Sequence, residues 1–528
     1  MSTRLSVSLA LGLTVTIGAL AVPGCRDAGP TAADRPLPVV DLRGGPAFPL
    51  PAHLETADLV SGAMTFQQIF DAGDLLFHAP FNDQDGIGAF RLPDGSATLR
   101  FSVVPPGGGA IMAIASESCG RCHVGTASGP SQSSLALDAD GDGKPPFRAR
   151  STTSLLGNGL LQLLGQEMTE ALQAIRDELS QAAQAQPGVR VERPLAAKGV
   201  GFGGLAATAD RNGTVTFDRS AVQGVGPDLV VRPLGWKGNI STIRSFTMGA
   251  ANVAMGLQAE EIVWRMNDAG APADPDGDGA ERELSVGDIT AMVVYGAAQE
   301  TPQPLSRLAE LGLVAPPSAD DLARIERGRA VFDQIGCGTC HTPELRLTNT
   351  VFEEPTLRGN GHFIDRYLLS KSAGYDPEQP VRFDLLQDAQ EPRVEAHPEG
   401  GAIVRLYGDL KRHRMGRQLA DPGPQPPLDG SSAPVVFEGR PVLIGADEFL
   451  TPELWGVGNT GPWLHDGRAA SLREAVIWHG EDNPPPAGSP LRSEAQESRE
   501  AFRALPAGDQ EALLVFLRSL RTFIHEQP

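Results

Sequence analysis

The sequence predicts a mainly α fold, with two helical domains in tandem, long loops and some short β-hairpins. Three observations predict it. An ordered set of phrases occurs twice, once in each half of the 528 residues. Each set opens with a segment whose apolar residues recur at helical spacing. Turn-rich pieces interrupt the first set where the second runs straight through.

The repeat is legible residue by residue. Phe70-Asp71-Ala72-Gly73-Asp74-Leu75-Leu76-Phe77 echoes Ile325-Glu326-Arg327-Gly328-Arg329-Ala330-Val331-Phe332. A Cys-rich turn follows each helix, at Cys119 and at Cys337. Next, Thr152-Thr153-Ser154-Leu155-Leu156-Gly157 parallels Thr451-Pro452-Glu453-Leu454-Trp455-Gly456. Last comes a ring residue with a shared skeleton. It is Trp236, Gly238, Ser241, Ile243 and Arg244 in the first half, and His465, Gly467, Ser471, Leu472 and Arg473 in the second. The period is about 220 residues, far beyond a solenoid repeat.

Phe332 precedes Cys337 by five residues, whereas Phe77 precedes Cys119 by 42, so the first half carries an insertion of about 37 residues. Its DQDG, LPDG and PPGGG pieces suggest hairpins. The expected domains are 61–315, with insertions, and 320–528, with the Pro/Ala-rich stretch 300–320 as linker. Leu513, Leu514, Phe516, Leu517 and Leu520 recur at helical spacing and mark a final core helix.

There are five cysteines. Setting Cys25 aside leaves Cys119-Gly-Arg-Cys122 and Cys337-Gly-Thr-Cys340, each followed at once by His123 or His341. C-x-x-C-H is the pattern of covalent c-type haem attachment. Two thiols add to the haem vinyl groups, and the next residue brings an imidazole under the iron. An all-cysteine zinc site, a redox disulfide and a structural disulfide compete. None of them predicts His after both pairs. The halves therefore read as two cytochrome c-like haem domains with two covalently attached haem c groups and His123 and His341 as proximal ligands.

The net charge of −21 argues against nucleic acid and anionic membrane surfaces as partners. It makes a basic soluble partner easier to attract. Residues 1–25 read as an export signal: Arg4, then an apolar run from Leu5 to Val22, then small residues to Cys25. Val22-Pro23-Gly24-Cys25 resembles a bacterial lipoprotein cleavage box, although Pro23 departs from it. Plain secretion and lipidation at Cys25 both stay open. Residues 26–60 read as a Pro/Ala-rich tether. The expected location is periplasmic or cell-envelope, with a lipid at Cys25 as the one link to a membrane. Asp138-Ala-Asp140-Gly-Asp142-Gly143 and Asp274-Pro-Asp276-Gly-Asp278-Gly279 have the alternating carboxylates of a calcium loop, yet Ala149 and Ser285 stand where such loops place Glu. Ca2+ sites and plain hydrophilic turns both stay open.

These residues resemble the bacterial di-haem cytochrome c peroxidase superfamily, above all its long di-haem oxidoreductase branch of peroxidases and thiol oxidoreductases. The resemblance covers roughly residues 65–525. Its most specific phrases are IERGRAVF…CGTCH and TPELWGVGNTGPWLHDGRAASLREAVIWHGED; CGRCH, RSTTSLLGNGLL and GWKG are looser. The resemblance implies a six-coordinate, high-potential second haem with His and Met ligands. It also implies a first haem that binds the oxidant, and a Trp between the two. That Trp is Trp236, with Lys237 where relatives have Asp and Gly235 where they have Phe. Met415 is the one Met after His341 and follows it by 74 residues, a family-like spacing. His413, His465 and His479 compete with it.

No His lies between His123 and His341, where relatives keep a releasable distal His. His53, His78, Met168, Met248, Met255 and an open site remain, and the open site is the expectation. Relatives that cleave peroxide place a Gln about ten residues after the Trp and an acid further on. Here Phe246 and Ala254 stand in those places. Glu260 and Glu261 lie a turn or two beyond. Phe246, Val253 and Met255 would make an apolar distal pocket. The expected function is a peroxidase-like di-haem oxidoreductase. It would bind H2O2 or O2 at the first haem and exchange electrons through the second with a redox protein such as a small cytochrome or cupredoxin. A haem-dependent oxygenase for an apolar substrate and a non-catalytic electron carrier are the alternatives.

Overall fold

Two helix crossings built alike anchor the two halves of the computed structural model. It describes residues 53–82, 84–87, 103–104, 117–123, 135–137, 148–277, 279–356, 371–372, 379–430 and 432–523. Eleven α-helices form among the described residues. They are α1 Thr56–Val60, α2 Phe66–His78, α3 Asn158–Gln184, α4 Ile243–Ala250, α5 Glu260–Asp268, α6 Val286–Ala297, α7 Leu305–Glu310, α8 Ala319–Gln334, α9 Leu472–Ile477, α10 Gln496–Ala504 and α11 Ala507–Ser519. In the first half α2 packs on α6, and in the second α8 packs on α11.

The crossings depend on glycine. A Cβ at Gly73 would stand 2.1 Å from the Ala291 carbonyl oxygen and 2.8 Å from the Tyr295 Cβ. A Cβ at Gly328 would stand 2.0 Å from the Ala512 carbonyl oxygen and 2.6 Å from the Phe516 Cβ. The same residue of the repeat makes the same contact twice, four residues apart on the partner helix each time. Start signals agree with the helices: Thr65 and Gln68 form a capping box on α2, and Ser318 caps α8 through the Asp321 N–H. The ring-residue phrases match too. Antiparallel bridges close Leu234 on Ile240 and Trp463 on Ala469. Thr242 and Ser471 then cap α4 and α9. Gly157 and Gly456 both sit at φ +71°, a left-handed turn that suits glycine.

Strands are more prominent than a mainly α reading allows, and the chain is mixed. Three antiparallel strands, Val191–Ala197, Val200–Ala209 and Val215–Asp218, follow the 27-residue α3 and pack against it. Their pattern is easy to miss because Gly and Ala fill the ten-residue central strand. The first-half insertion does contribute a strand: Val103–Val104 pairs with Leu135–Leu137, which pairs with Arg148–Arg150. The LPDG and PPGGG pieces lie outside the described residues. Short antiparallel pairs run through 345–450, including Arg412–Arg414 against Glu448–Leu450.

Two apolar clusters hold this together. The larger joins α2, α3 and α6 to residues of the second half such as Leu345, Phe352, Phe383, Val404 and Trp455. The smaller contains Val331, Phe332, Leu472, Phe502, Leu513, Phe516 and Leu517. The stretch 300–320 carries α7 and buries Leu308. All of this belongs to the unit Pro46–Pro528. No described helix is long and apolar enough to cross a membrane. The apolar run Leu5–Val22 and Cys25 lie outside the described residues.

Candidate cofactor site

The second Cys-rich turn opens directly off α8. Gly336, at φ +85°, reverses the chain, and Cys337–Thr339 form one tight 3₁₀ turn. That turn brings Cys337, Cys340 and His341 to a cavity of about 550 Å3. Phe332, Trp455, Trp463, Leu513 and Leu517 line it, so its walls are largely apolar. Its volume suits a small cofactor. The His341 Nδ1–H donates to the Tyr407 carbonyl at 2.9 Å, which fixes the ring and leaves Nε2 free to bind metal. Burial, aided by His479, pushes the His341 pKa down to about 4, so the ring is neutral. Neither Cys pair forms a disulfide. Burial pushes the Cys119 and Cys337 thiols up to about 12, the reverse of what a redox-active pair needs. Half-buried thiols, an oriented neutral imidazole and an apolar cavity together fit a haem.

His413 lines the same cavity, but it is not free to ligate. Its Nε2 lies 2.8 Å from Asp409 and its Nδ1 2.7 Å from Glu494. Burial lowers its pKa, but hydrogen bonds to Asp409, Cys340 and Glu494 outweigh burial and raise it to about 11. Cys340, Asp409 and His413 have ligand atoms within 4.8 Å of one another, the only such group among the described residues. A protonated His413 spent on two carboxylates makes this a charge cluster and not a zinc site. Met415 also lines the cavity, half-buried, beyond the strand that carries His413.

The two ring phrases meet on one residue. The Trp236 Nε1–H donates to the Ser151 carbonyl at 2.8 Å. The Ser151 N–H donates to the His465 carbonyl at 2.7 Å. Trp236, Phe246 and His465 all line the cavity that holds His341. The Lys237 departure also has an account. Its buried Nζ donates to the Gly445 and Ala446 carbonyls, sits 4.0 Å from the Phe449 ring centroid, and lies 3.7 Å from Asp421. Asp421 in turn holds Arg150 through two bonds of 2.9 and 2.7 Å. Phe449 stacks on His465 with centroids 4.4 Å apart. Burial pulls Lys237 down to about 8 and His465 to about 4.

The first Cys-rich turn repeats the local geometry. Phe77 lies 5.6 Å from His123 by ring centroids, as Phe332 lies 6.3 Å from His341. Burial pushes the His123 pKa down to about 4, and the Thr153 carbonyl is the backbone group beside it. Thr153 also lines the cavity of the second turn, so the cavity reaches the neighbourhood of the first imidazole.

Several expected residues are placed elsewhere. Met168, Met248 and Met255 are core residues, each at most 2% exposed. Met255 ends a π-helical turn, Ala251–Met255, and does not line the cavity, whereas Phe246 does. The Nδ1 of His53 bonds Asp288 at 2.6 Å; His78 is the exception, since its Nδ1 bonds the Asp74 carbonyl at 3.0 Å while its ring packs against Gly120 of the first Cys-rich turn. The acids near Met255 are committed as well. Glu261 pairs with Arg244 at 2.8 Å, and Arg244 pairs with Glu354 at 2.7 Å, all buried. Glu260 pairs with Arg282 and accepts the Val286 N–H. Asp274 accepts from the backbone of Gly277 and Gly279, a turn capped by its own carboxylate; Asp278 and the loop 138–143 lie outside the described residues. Sequence reasoning missed Glu453, which lines the cavity and is pushed up to about 7 by burial. Its place in the T-x-x-L-x-G repeat, opposite Ser154, was the available signal.

Two Cys-x-x-Cys-His turns of this kind are what a di-haem redox protein would need. Residues 401–520 match the family model described as "Di-haem oxidoreductase, putative peroxidase". This is the branch that the sequence phrases resemble. The match spans 120 of the 528 residues, all of them in the second half. Among solved structures it is similar to one titled "Crystal structure of a MauG-like protein associated with microbial copper homeostasis", at 17% identity and a TM-score of 0.27, over 60% of this chain and 78% of that one. No curated protein matches the chain.

Proposed function

We propose that the chain is an exported di-haem c-type oxidoreductase that binds H2O2 or O2 at the first haem and exchanges electrons through the second. Bound haem supplies one-electron chemistry and a seat for a small oxidant. Cys119, Cys122 and His123 hold the first group; Cys337, Cys340 and His341 hold the second. The observation that carries the reading is the Ser151 junction. Trp236 and His465 bond opposite sides of one residue, and both line the cavity of His341. Trp236 is then the aromatic step between the two sites. The acidic chain favours a basic redox protein as external partner.

A second reading, an oxygenase for an apolar substrate, is favoured by Phe246 and by the commitment of Glu260 and Glu261 to arginines. Neither acid is free to move a proton between peroxide oxygens, so peroxide cleavage should be slow. EPR of the ferric protein tests the common premise, with one high-spin and one low-spin species expected. Two low-spin species would favour the carrier instead. Turnover with H2O2 and reduced cytochrome c then separates peroxidase from oxygenase. Cell fractionation of the wild type and Cys25→Ala tests export and the lipid.

A further inference from the structure

His341 and His479 form a matched pair across the second cavity. Each ring holds its Nδ1 against a backbone carbonyl, His341 on Tyr407 at 2.9 Å and His479 on Ala475 at 2.7 Å. Each is left with Nε2 as its uncommitted nitrogen, and both line the cavity of the Cys337 and Cys340 thiols. Their ring centroids lie 6.5 Å apart, with the planes 55° from one another. A metal–imidazole bond is about 2.0–2.1 Å, and a ring centroid lies about 1.2 Å behind its nitrogen. Two imidazoles on opposite sides of one ion therefore have centroids about 6.4–6.6 Å apart. The observed 6.5 Å spacing matches that of a bis-imidazole site.

The rival ligands are weaker. Both nitrogens of His413 are spent on carboxylates. Met415 has no comparable anchor on its side chain. His479 sits just past α9, and its Nδ1 bond to the carbonyl four residues back aims the ring from the helix end. The first half shows what the position means. Counting from the shared arginine, His479 stands six residues after Arg473, and six residues after Arg244 stands Ala250. Both arginines sit in the first turn of helices whose caps, Thr242 and Ser471, stand two residues before them. One copy writes a ligand where the other writes a methyl group.

We propose that His479 is the sixth ligand of the second haem, opposite His341, in place of Met415. The proposal rests on the di-haem reading above. A second imidazole in place of a thioether lowers the reduction potential. The second site is then a low-potential relay and not a high-potential store.

The test uses the full-length holoprotein. Pyridine haemochrome analysis comes first, with two covalent haems per chain expected. Fewer than two would overturn the di-haem reading and the proposal with it. Near-infrared magnetic circular dichroism and EPR of the ferric wild type should show one bis-imidazole centre and no thioether-to-iron band. That measurement needs no variant to fold. His479→Ala should convert the low-spin centre to high spin, and added imidazole should restore it. His479→Met should raise one of the two midpoint potentials and leave the other in place. Met415→Leu should change neither spectrum nor potential. With two haems confirmed, a thioether band that disappears in Met415→Leu, or a low-spin centre that survives in His479→Ala, would overturn the ligand assignment alone.

Discussion

Gly328→Ala should loosen the second half of the molecule, and the structure sets the size of the effect. Two terms oppose each other. Alanine is the better helix former in the middle of α8, by about 0.8–1.0 kcal/mol. Against this, the new Cβ would stand 2.0 Å from the Ala512 carbonyl oxygen. Ordinary contacts run to about 3.5 Å, so α8 and α11 must part by more than ~1 Å. A backbone carbonyl cannot swing aside as a side-chain tip can. Overpacking of this kind costs about 1–3 kcal/mol and occasionally more. With both helices rigid we take the upper end, so a net loss of about 2 kcal/mol is expected after the propensity gain. Native-state hydrogen exchange reads this locally: amides of Val331, Phe332 and Leu513–Leu517 should exchange about 30-fold faster. Gly508→Ala is the control. It lies at the start of the same α11, and a Cβ there meets nothing within 4 Å, so protection should be unchanged or slightly higher. Gly73→Ala should behave like Gly328→Ala at the α2–α6 crossing, where the Ala291 oxygen is 2.1 Å away. Equal protection in Gly328→Ala and Gly508→Ala would refute the close crossing.

Three further outcomes are expected. Trp236→Phe keeps an aromatic ring but loses the bond to the Ser151 carbonyl, so interhaem electron exchange, followed by flash photolysis, should slow several-fold while haem content stays at wild type. Stability should depend on pH through His413. Its folded pKa is raised to about 11 from 6.5, so the stabilisation is full below pH 6.5 and lost as pH rises toward 11; urea midpoints should fall over that window, with a smaller slope in Asp409→Asn. Arg244→Met leaves the buried carboxylates of Glu261 and Glu354 without their cation and should cost about 3–5 kcal/mol in chemical denaturation.

Much of the frame was legible in sequence because the repeat rests on local rules. A helix period, a capping residue, a C-x-x-C-H turn and a glycine at a reversal each act over a few residues. The helix period and the C-x-x-C-H turn appear in both halves without knowledge of the partner, whereas the cap of α4 is Thr242 and not the Ser241 that the phrase matches with Ser471. What stayed hidden depends on partners far along the chain. Lys237 looks like an anomaly until Asp421 and Phe449 close around it. Glu261 looks like a spare acid until Arg244 takes it. Met255 has the composition of a pocket wall but is core, because the π-helical turn carries it inward. The strands at 191–218 were hidden because alanine and glycine blur the two-residue alternation on which strand reading depends.

The choice between Met415 and His479 shows where the limit lies. Spacing along the chain favoured Met415, and spacing is a family habit with no physical force of its own. Among the imidazoles the rings decide, because an imidazole ligand needs a free nitrogen, an anchor that aims it and the right distance across the cavity. His479 meets all three, and His413 fails the first. The same comparison bears on the other iron. Ala250, at the register of His479, cannot supply a ligand, and the acids Glu260 and Glu261 of the first half are held by Arg282 and Arg244. If His479 ligates, a difference at a single register position of the repeat is enough to close one site and leave the other without that ligand. That asymmetry is what a chain needs if it is to take up an oxidant at one end and exchange electrons at the other.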